Sequence, residues 1–476
     1  MLFLEIDRSS CRPLSNQICC ALRSRILSGE LTEGVRLPST RSLSLELHVS
    51  RNTVLTTYDM LTSEGLTVSK SGSGVYVSPL AAHLPVQKPA SRNGKAGSAS
   101  LSADSVPSDC INFDSGLPAL ALFPRGKWNR AVSRAFFSAP DSALGYDDPQ
   151  GRPELRERIA AWLAQTRGVR YSADQVLITS GAKQGLTLIA KCLLHSSSTV
   201  LMEDPCNANI RQIVSYHTDR ILPVPVDAEG LRTDLLPQSG SPALIFTTPS
   251  RQFPMGGVLP ISRRIELIDY AKRHDSLIVE DDYDSEFRYD GAPVRALFEL
   301  DDSHVIYVGT FSKVLFPSLR LGYLVLPQPL VASFTEWKRL LDHHSNSVFQ
   351  LALAQWIESG DLDRHISHMK KIYTRRRQEM LSLLEELFPG QVSIFGDASG
   401  LHLVAGFSGA SFLPELVDLI RQSGVYAVPV SRHTMLGGHE SQLILGFAQL
   451  EPSEMRRGLS ILRDCLCGSN IKSDVP

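Results

Sequence analysis

The chain lacks any run of 18 or more consecutive apolar residues, which argues against a membrane-spanning helix. Its N-terminus, MLFLEIDRSS, carries an acid at position 5 and no sustained apolar stretch, so no secretory leader is expected. Excess charge of one sign is missing too: 48 Lys and Arg stand against 50 Asp and Glu, and 43% of residues are hydrophobic, as in an ordinary soluble protein. The eight cysteines, at 11, 19, 20, 110, 192, 206, 465 and 467, form no CxxC pair and no regular framework. Reduced thiols in a cytoplasmic protein are expected, and no metal site. What the chain does have is length, and 476 residues exceed what one core usually organises.

One stretch changes character. Residues 79–110, PLAAHLPVQKPASRNGKAGSASLSADSVPSDC, are rich in Pro, Ser, Ala and Gly without apolar period, and are expected to be a flexible linker. Fully extended, such a segment spans about 100 Å, which leaves the flanking domains free to sit on different parts of a dimer.

Residues 1–78 precede it. Leu14, Ile18, Leu22 and Ile26 recur every four residues and Gly29 follows, so the spacing predicts a helix over 13–28. Ser39 is expected to cap a second helix carrying Leu43 and Leu47, and Ser50 a third over 51–65, with Val54, Tyr58 and Leu61 on its apolar face. Arg51, Asn52, Thr53 and Thr57 would then point outward. Two short helices joined by a tight turn form the arrangement that enters a major groove. Segments 66–68 and 75–78, joined by KSGSG, are expected to pair as a hairpin wing. The stretch GELTEGVRLPSTRSLSLELHVSRNTVLTTYDMLTSEGLTVSKSGSGVYV resembles the GntR family of winged-helix repressors. That resemblance implies contacts to operator DNA from Arg41, Ser50, Arg51 and Thr53, and from Lys70 and Gly72 in the wing. Charge alone does not reveal it: residues 1–80 hold eight Lys or Arg against seven Asp or Glu.

Residues 111–468 alternate short apolar, β-branched runs (176–179, 200–203, 244–247, 277–280, 305–308 and 322–326) with helical stretches. This is the pattern of a mostly parallel sheet covered on both faces, and a smaller C-terminal subdomain is expected from about residue 351. Three clusters lie at the ends of these runs. TFSKVLFPSLRLGY at 310–323 sets Lys313 among the hydroxyls of Thr310 and Ser312 and the guanidinium of Arg320, groups suited to an aldehyde carrying a phosphate. EDDY at 280–283 supplies carboxylates for a ring nitrogen, Asp281, Asp282 and Asp284 competing for the part. TSGAKQ at 179–184 joins a strand to a helix whose first amides, at Ala182 and Lys183, can hold phosphate.

These clusters resemble the aminotransferase class of pyridoxal-phosphate (PLP) proteins, fold type I. The resemblance implies that Lys313 carries PLP as an internal aldimine, Asp281 pairs with the ring nitrogen and Tyr283 lies beside the ring hydroxyl. Winged helix, linker and aminotransferase-like domain in this order resemble the MocR/GabR regulators. That implies a head-to-tail, domain-swapped homodimer sensing a small amine, an amino acid or PLP itself by aldimine exchange. In that pattern Tyr146, in GYDDPQGRPELR, reaches the phosphate of the partner subunit's cofactor, and Arg432 holds an effector carboxylate. Several positions depart from it. Asn207 replaces a Tyr that would stack on the pyridine, and Asn209 replaces an Arg of the GABA-sensing members. Arg251 stands where a His is common, Phe253 where aminotransferases hold the ring hydroxyl with an Asn, and Lys183 where a Gln is frequent. The reading is a regulator rather than an enzyme, the alternative being an active aminotransferase with a DNA-binding appendage.

Overall fold

The computed structural model describes residues 4, 6–10, 12–70, 72–79, 110–168, 171–291 and 295–470. They fall into two compact units, one within Met1–Ala103 and the other within Asp104–Pro476. The expected linker, apart from its two end residues, lies outside the described residues.

The first unit holds α1 (Leu14–Leu27), α2 (Thr40–Glu46), α3 (Arg51–Ser63) and the antiparallel hairpin β1 (Thr67–Lys70) and β2 (Gly74–Val77). The four-residue spacing predicted in α1 is realised as Ile18, Leu22 and Ile26, packed against Leu43, Val54, Tyr58, Leu61 and Val77. Both predicted caps form: Ser39 accepts from the Ser42 amide and Ser50 from the Thr53 amide. Thr57 corrects the sequence reading, because it is fully buried rather than outward. It stands three residues after Val54 and four before Leu61, which puts it on the apolar face, and its hydroxyl donates to the carbonyls of Thr53 (2.8 Å) and Ser15 (3.2 Å).

The second unit begins with β3 (Ile111–Asn112), α4 (Arg125–Ser138), α5 (Pro153–Arg167), β4 (Val176–Thr179), α6 (Ala182–Leu193), β5 (Val200–Asp204) and α7 (Ala208–Ser215). It continues through β6 (Ile221–Asp227), β7 (Gly230–Leu231), β8 (Leu244–Thr247), α8 (Ile261–His274), β9 (Leu277–Asp282), β10 (Val305–Thr310) and β11 (Gly322–Val325). The central sheet runs β4-β11-β10-β9-β8-β5-β6-β7, with β11 antiparallel to both neighbours and β10, β9, β8, β5 and β6 parallel. Alternate residues feed opposite cores. Leu177, Met202, Val279 and Val308 pack with Leu186 and Ile189 of α6, while Ile178, Leu201, Ile278 and Tyr307 pack with Trp162 and Leu267. Burial on both faces is why these strands read as continuous apolar runs.

Strand β6 was not predicted, because Pro223 and Pro225 interrupt its pattern. Two residues apart, both put their missing N–H on the same side, and β6 has a partner along its length only on the β5 side. Next come α9 (Val331–Asp342), α10 (Ser347–Glu358) and α11 (Asp361–Leu387), and the segment expected from about residue 351 to form the smaller subdomain carries a second sheet. Its elements are β12 (Val392–Phe395), β13 (His402–Phe407), α12 (Pro414–Gln422), β14 (Val425–Tyr426), β15 (Val428–Pro429), β16 (Gln442–Gly446) and α13 (Pro452–Asn470). Its sheet runs β12-β13-β16-β15, and β14 pairs in parallel with β3. Residues 111–112 therefore belong with this subdomain, although more than 300 residues separate them from β14. No helix among the described residues is long and apolar enough to cross a membrane.

Candidate functional site

Strands β4, β5, β8, β9 and β10 point the same way, so their C-terminal ends, from Thr179 to Thr310, share one edge of the sheet. Ligand-binding groups of open α/β sheets gather at that edge. Lys313 follows β10 there, half-buried, its Nζ donating to the Gly116 carbonyl at 2.6 Å. Burial holds its amine below the usual lysine range. Asp114, Asp284 and Asp281 oppose that shift, and Lys183 adds to it. A depressed lysine is a better nucleophile toward a carbonyl at neutral pH.

Three carboxylates competed for the ring nitrogen, and their partners separate them. Asp282 receives Tyr307 Oη and Arg167 at 2.5 Å each, and Asp284 receives Arg251 at 2.9 Å. Asp281, on the opposite face of β9 from Asp282, receives no hydrogen bond among the described residues. Burial first, then the neighbouring Asp282, pushes its pKa up to about 7, against the pull of Lys313. It is the carboxylate left for a basic nitrogen.

Phosphate would meet the start of α6. Gly181, at φ 84°, caps the helix without a side chain, so the amides of Ala182 and Lys183 have no intrahelical acceptor. The Arg320 guanidinium lies over this turn, near enough that a Cβ on Gly181 would stand 3.0 Å from it, and a Cβ on Gly322 would meet the Gly181 backbone at 2.9 Å. Thr310 and Ser312 are joined hydroxyl to hydroxyl at 3.0 Å. Lys183 is exposed in the first turn of α6. Amine, free carboxylate and anion cradle at one sheet edge fit a phosphorylated aldehyde carrying a basic aromatic nitrogen.

Other expected residues stand differently. Asn207 caps α7, its oxygen accepting from the Asn209 amide at 3.0 Å, which commits the side chain to the helix. Tyr146 is 88% exposed and its ring meets His343 at 4.9 Å. Arg432 is exposed on the smaller subdomain and lines a cleft of ≈ 380 Å³ with Phe412, Arg421 and Tyr426. Gly116 and Asp114 were not anticipated: Asp114 accepts from the Gly116 amide at 2.9 Å, a turn legible in Asp-Ser-Gly, but nothing local ties that turn to a lysine 197 residues on.

In the first unit Arg41, Arg51 and Lys70 are exposed. Arg51 Nε donates to Thr40 Oγ1 at 3.2 Å, bracing the start of α3 against α2. Ser50 and Thr53 are bonded to each other at 2.8 Å. Lys70 stands over the Tyr76 ring at 5.1 Å, and Gly72 takes φ 72° at the wing turn. If Arg51 reads a base edge, Arg51→Ala should cost ~1–3 kcal/mol of operator binding and relax specificity at one position. Competition binding on a panel of single-base operator variants checks this, and a uniform loss across the panel would mark a phosphate contact instead.

Residues 108–462 match the model of aminotransferase class I and II, and residues 14–77 that of bacterial regulatory proteins of the gntR family. The chain is 35% identical to the probable rhizopine catabolism regulatory protein MocR of Rhizobium meliloti, over 99% of this chain and 98% of that one. It is 31% identical to the pyridoxine biosynthesis transcriptional regulator PdxR of Corynebacterium glutamicum, covering 95% and 96%. Among solved structures it is similar to LysN, an α-aminoadipate aminotransferase of Thermus thermophilus complexed with N-(5'-phosphopyridoxyl)-L-leucine. That likeness has 28% identity and a TM-score of 0.70, over 76% of this chain and 93% of that one.

Proposed function

We propose, because this chain belongs to the MocR/GabR family of transcriptional regulators, that its aminotransferase-like domain binds PLP at Lys313 and senses a small amine through it. The observation that carries this is the meeting of Lys313 with an unbonded Asp281 and the open first turn of α6, in a chain that also holds a winged helix. When bound, PLP supplies an aldehyde that captures amines and a ring that withdraws electrons from them. Lys313 would hold the cofactor through its amine and yield that place to an incoming amine, Asp281 would fix the ring nitrogen, and Arg320 with the α6 amides would anchor the phosphate. Effector binding must favour one conformation over another to alter operator affinity.

The described residues of the winged helix carry Arg41, Arg51 and Lys70 outward, and two such domains in a homodimer would bind operator DNA in the cytoplasm more tightly than one. Tyr146, exposed beside His343, supports a head-to-tail dimer in which it serves the partner's phosphate. Arg432 is our candidate for an effector carboxylate.

An active aminotransferase is the second reading, favoured by the shared fold and by a depressed Lys313 able to shuttle a proton. Incubation of the PLP-loaded protein with amino acids, GABA-like acids and taurine-like sulfonates separates the two. A sensor is expected to show a changed cofactor absorbance and changed operator affinity with one class of amine, and no turnover. Release of keto acid with stoichiometric conversion of the bound PLP to pyridoxamine phosphate, sustained when a keto-acid acceptor is added, would sink the sensor reading.

A further inference from the structure

Arg251 lies in the loop after β8, 2% exposed, and its guanidinium joins two parts of the second unit. Nη1 faces Tyr283 Oη at 3.0 Å, Asp284 Oδ2 at 2.9 Å and His402 Nδ1 at 3.2 Å. Nη2 donates to two backbone carbonyls of the smaller subdomain, His402 at 2.7 Å and Gly396 at 3.1 Å. Gly400 leaves room for this: a Cβ there would stand 2.4 Å from Nη1.

Arginine only donates, and that fixes the polarity of everything around it. His402 Nδ1 must accept, so the ring is neutral with its proton on Nε2, which faces the Pro254 carbonyl at 3.2 Å. Burial first, then the Arg251 charge, keeps His402 well below the usual histidine range, in agreement. By the same logic the Tyr283 oxygen accepts from Arg251, so the Tyr283 hydroxyl proton is left to be donated elsewhere. No other partner of that oxygen occurs among the described residues. Phe253 presents only a ring to Tyr283, edge to face at 5.8 Å, so Tyr283 is the polar side chain of the pair. The arrangement is costly, because Arg251 Nε and Asp284 Oδ1 are both buried without a partner, and a native structure seldom keeps such atoms without a use.

We infer that Arg251 is a positioning residue that commits Tyr283 as a hydrogen-bond donor toward the ring hydroxyl of the cofactor and places the cationic member of the Arg251–Asp284 pair directly behind that bond. The inference rests on the PLP reading above. A cation behind the donor stabilises negative charge on the group the donor faces, so a proton leaves that group at lower pH. Asp284 and the carbonyls of residues 396 and 402 hold the guanidinium so that it cannot turn away.

The test is the pH midpoint of the absorbance of PLP bound to the full-length protein. Arg251→Met is expected to raise that midpoint by about one pH unit. In a Tyr283→Phe background the same substitution is expected to move it little, because the effect runs through the phenol. If Arg251→Met strands Asp284 and fails to fold, the R251M/D284N pair compared with D284N carries the same measurement. A midpoint unmoved by the loss of Arg251, or moved equally with and without the phenol, overturns the inference while leaving the PLP reading intact. Absence of any Lys313-dependent band from the unsubstituted protein removes both.

Discussion

Lys313→Ala should abolish the visible absorbance that PLP acquires on this protein and, with it, any response to amines, while operator binding without effector changes by less than about 0.5 kcal/mol. The first half follows from chemistry: no other side chain described at this sheet edge joins a depressed amine to a carboxylate and an anion cradle. The second follows from modularity. The winged helix has a core of its own, built on Ile18, Leu22, Val54 and Leu61, and no residue of that core depends on Lys313. Loss of the lysine also frees the Gly116 carbonyl, which accepts its Nζ at 2.6 Å, but the carbonyl is only part-buried and water can replace the amine. Absorbance spectra and gel-shift titrations of the same preparation check both halves. Collapse of DNA binding in a folded variant would contradict the modular reading.

Asp281→Asn should stabilise the protein without cofactor at pH 8 and weaken PLP binding. The folded-state pKa is raised to about 7 from an ordinary 3.8, burial being the first cause and Asp282 the second. The folded chain therefore keeps a proton that the unfolded chain has released between about pH 4 and 7. Stability from this group is fully present below about pH 4, declines as pH rises, and stays lost above pH 7. Three pKa units correspond to at most about 4 kcal/mol, and less for a half-buried carboxylate in contact with solvent. Asn carries no such decline, so the variant should melt above the parent at pH 8 and near it at pH 4 to 5. Glu280 and Glu286, also pushed up to about 7 by burial, keep a falling slope in both proteins, which makes the difference the quantity to read. With PLP the order should reverse, because a hydrogen bond to a charged partner contributes ~1.5–3 kcal/mol, roughly a 10- to 100-fold loss of affinity. An Asn variant less stable at pH 8, yet binding PLP as tightly, would end the assignment of Asp281.

Much of the fold was legible because it rests on short-range rules. A four-residue apolar period wrote α1, and serines at 39 and 50 wrote the starts of α2 and α3. Apolar β-branched runs wrote β4, β8 and the hearts of β5, β9, β10 and β11. Failures came where a long-range partner overrode a local cue. Thr57 reads as polar and outward, but the carbonyls of Ser15 and Thr53 satisfy it inside the core. Pro223 and Pro225 leave β6 without a continuous apolar run, and an open side of β6 tolerates them.

By itself the sequence determined the two domains, their order and the identities of the groups at the sheet edge: an amine, three carboxylates, two hydroxyls and an arginine. Spacing along the chain carries that information, because strand ends in a parallel sheet converge whatever lies between them. Only the tertiary structure decided which carboxylate stays unpaired. Asp281 and Asp282 are adjacent in sequence but face opposite sides of β9, and the partners that claim Asp282 and Asp284 come from Arg167, Tyr307 and Arg251. The same holds for the direction of the hydrogen bonds around Arg251. Which oxygen donates depends on what is packed against it, and packing joins residues that the sequence holds up to 151 positions apart.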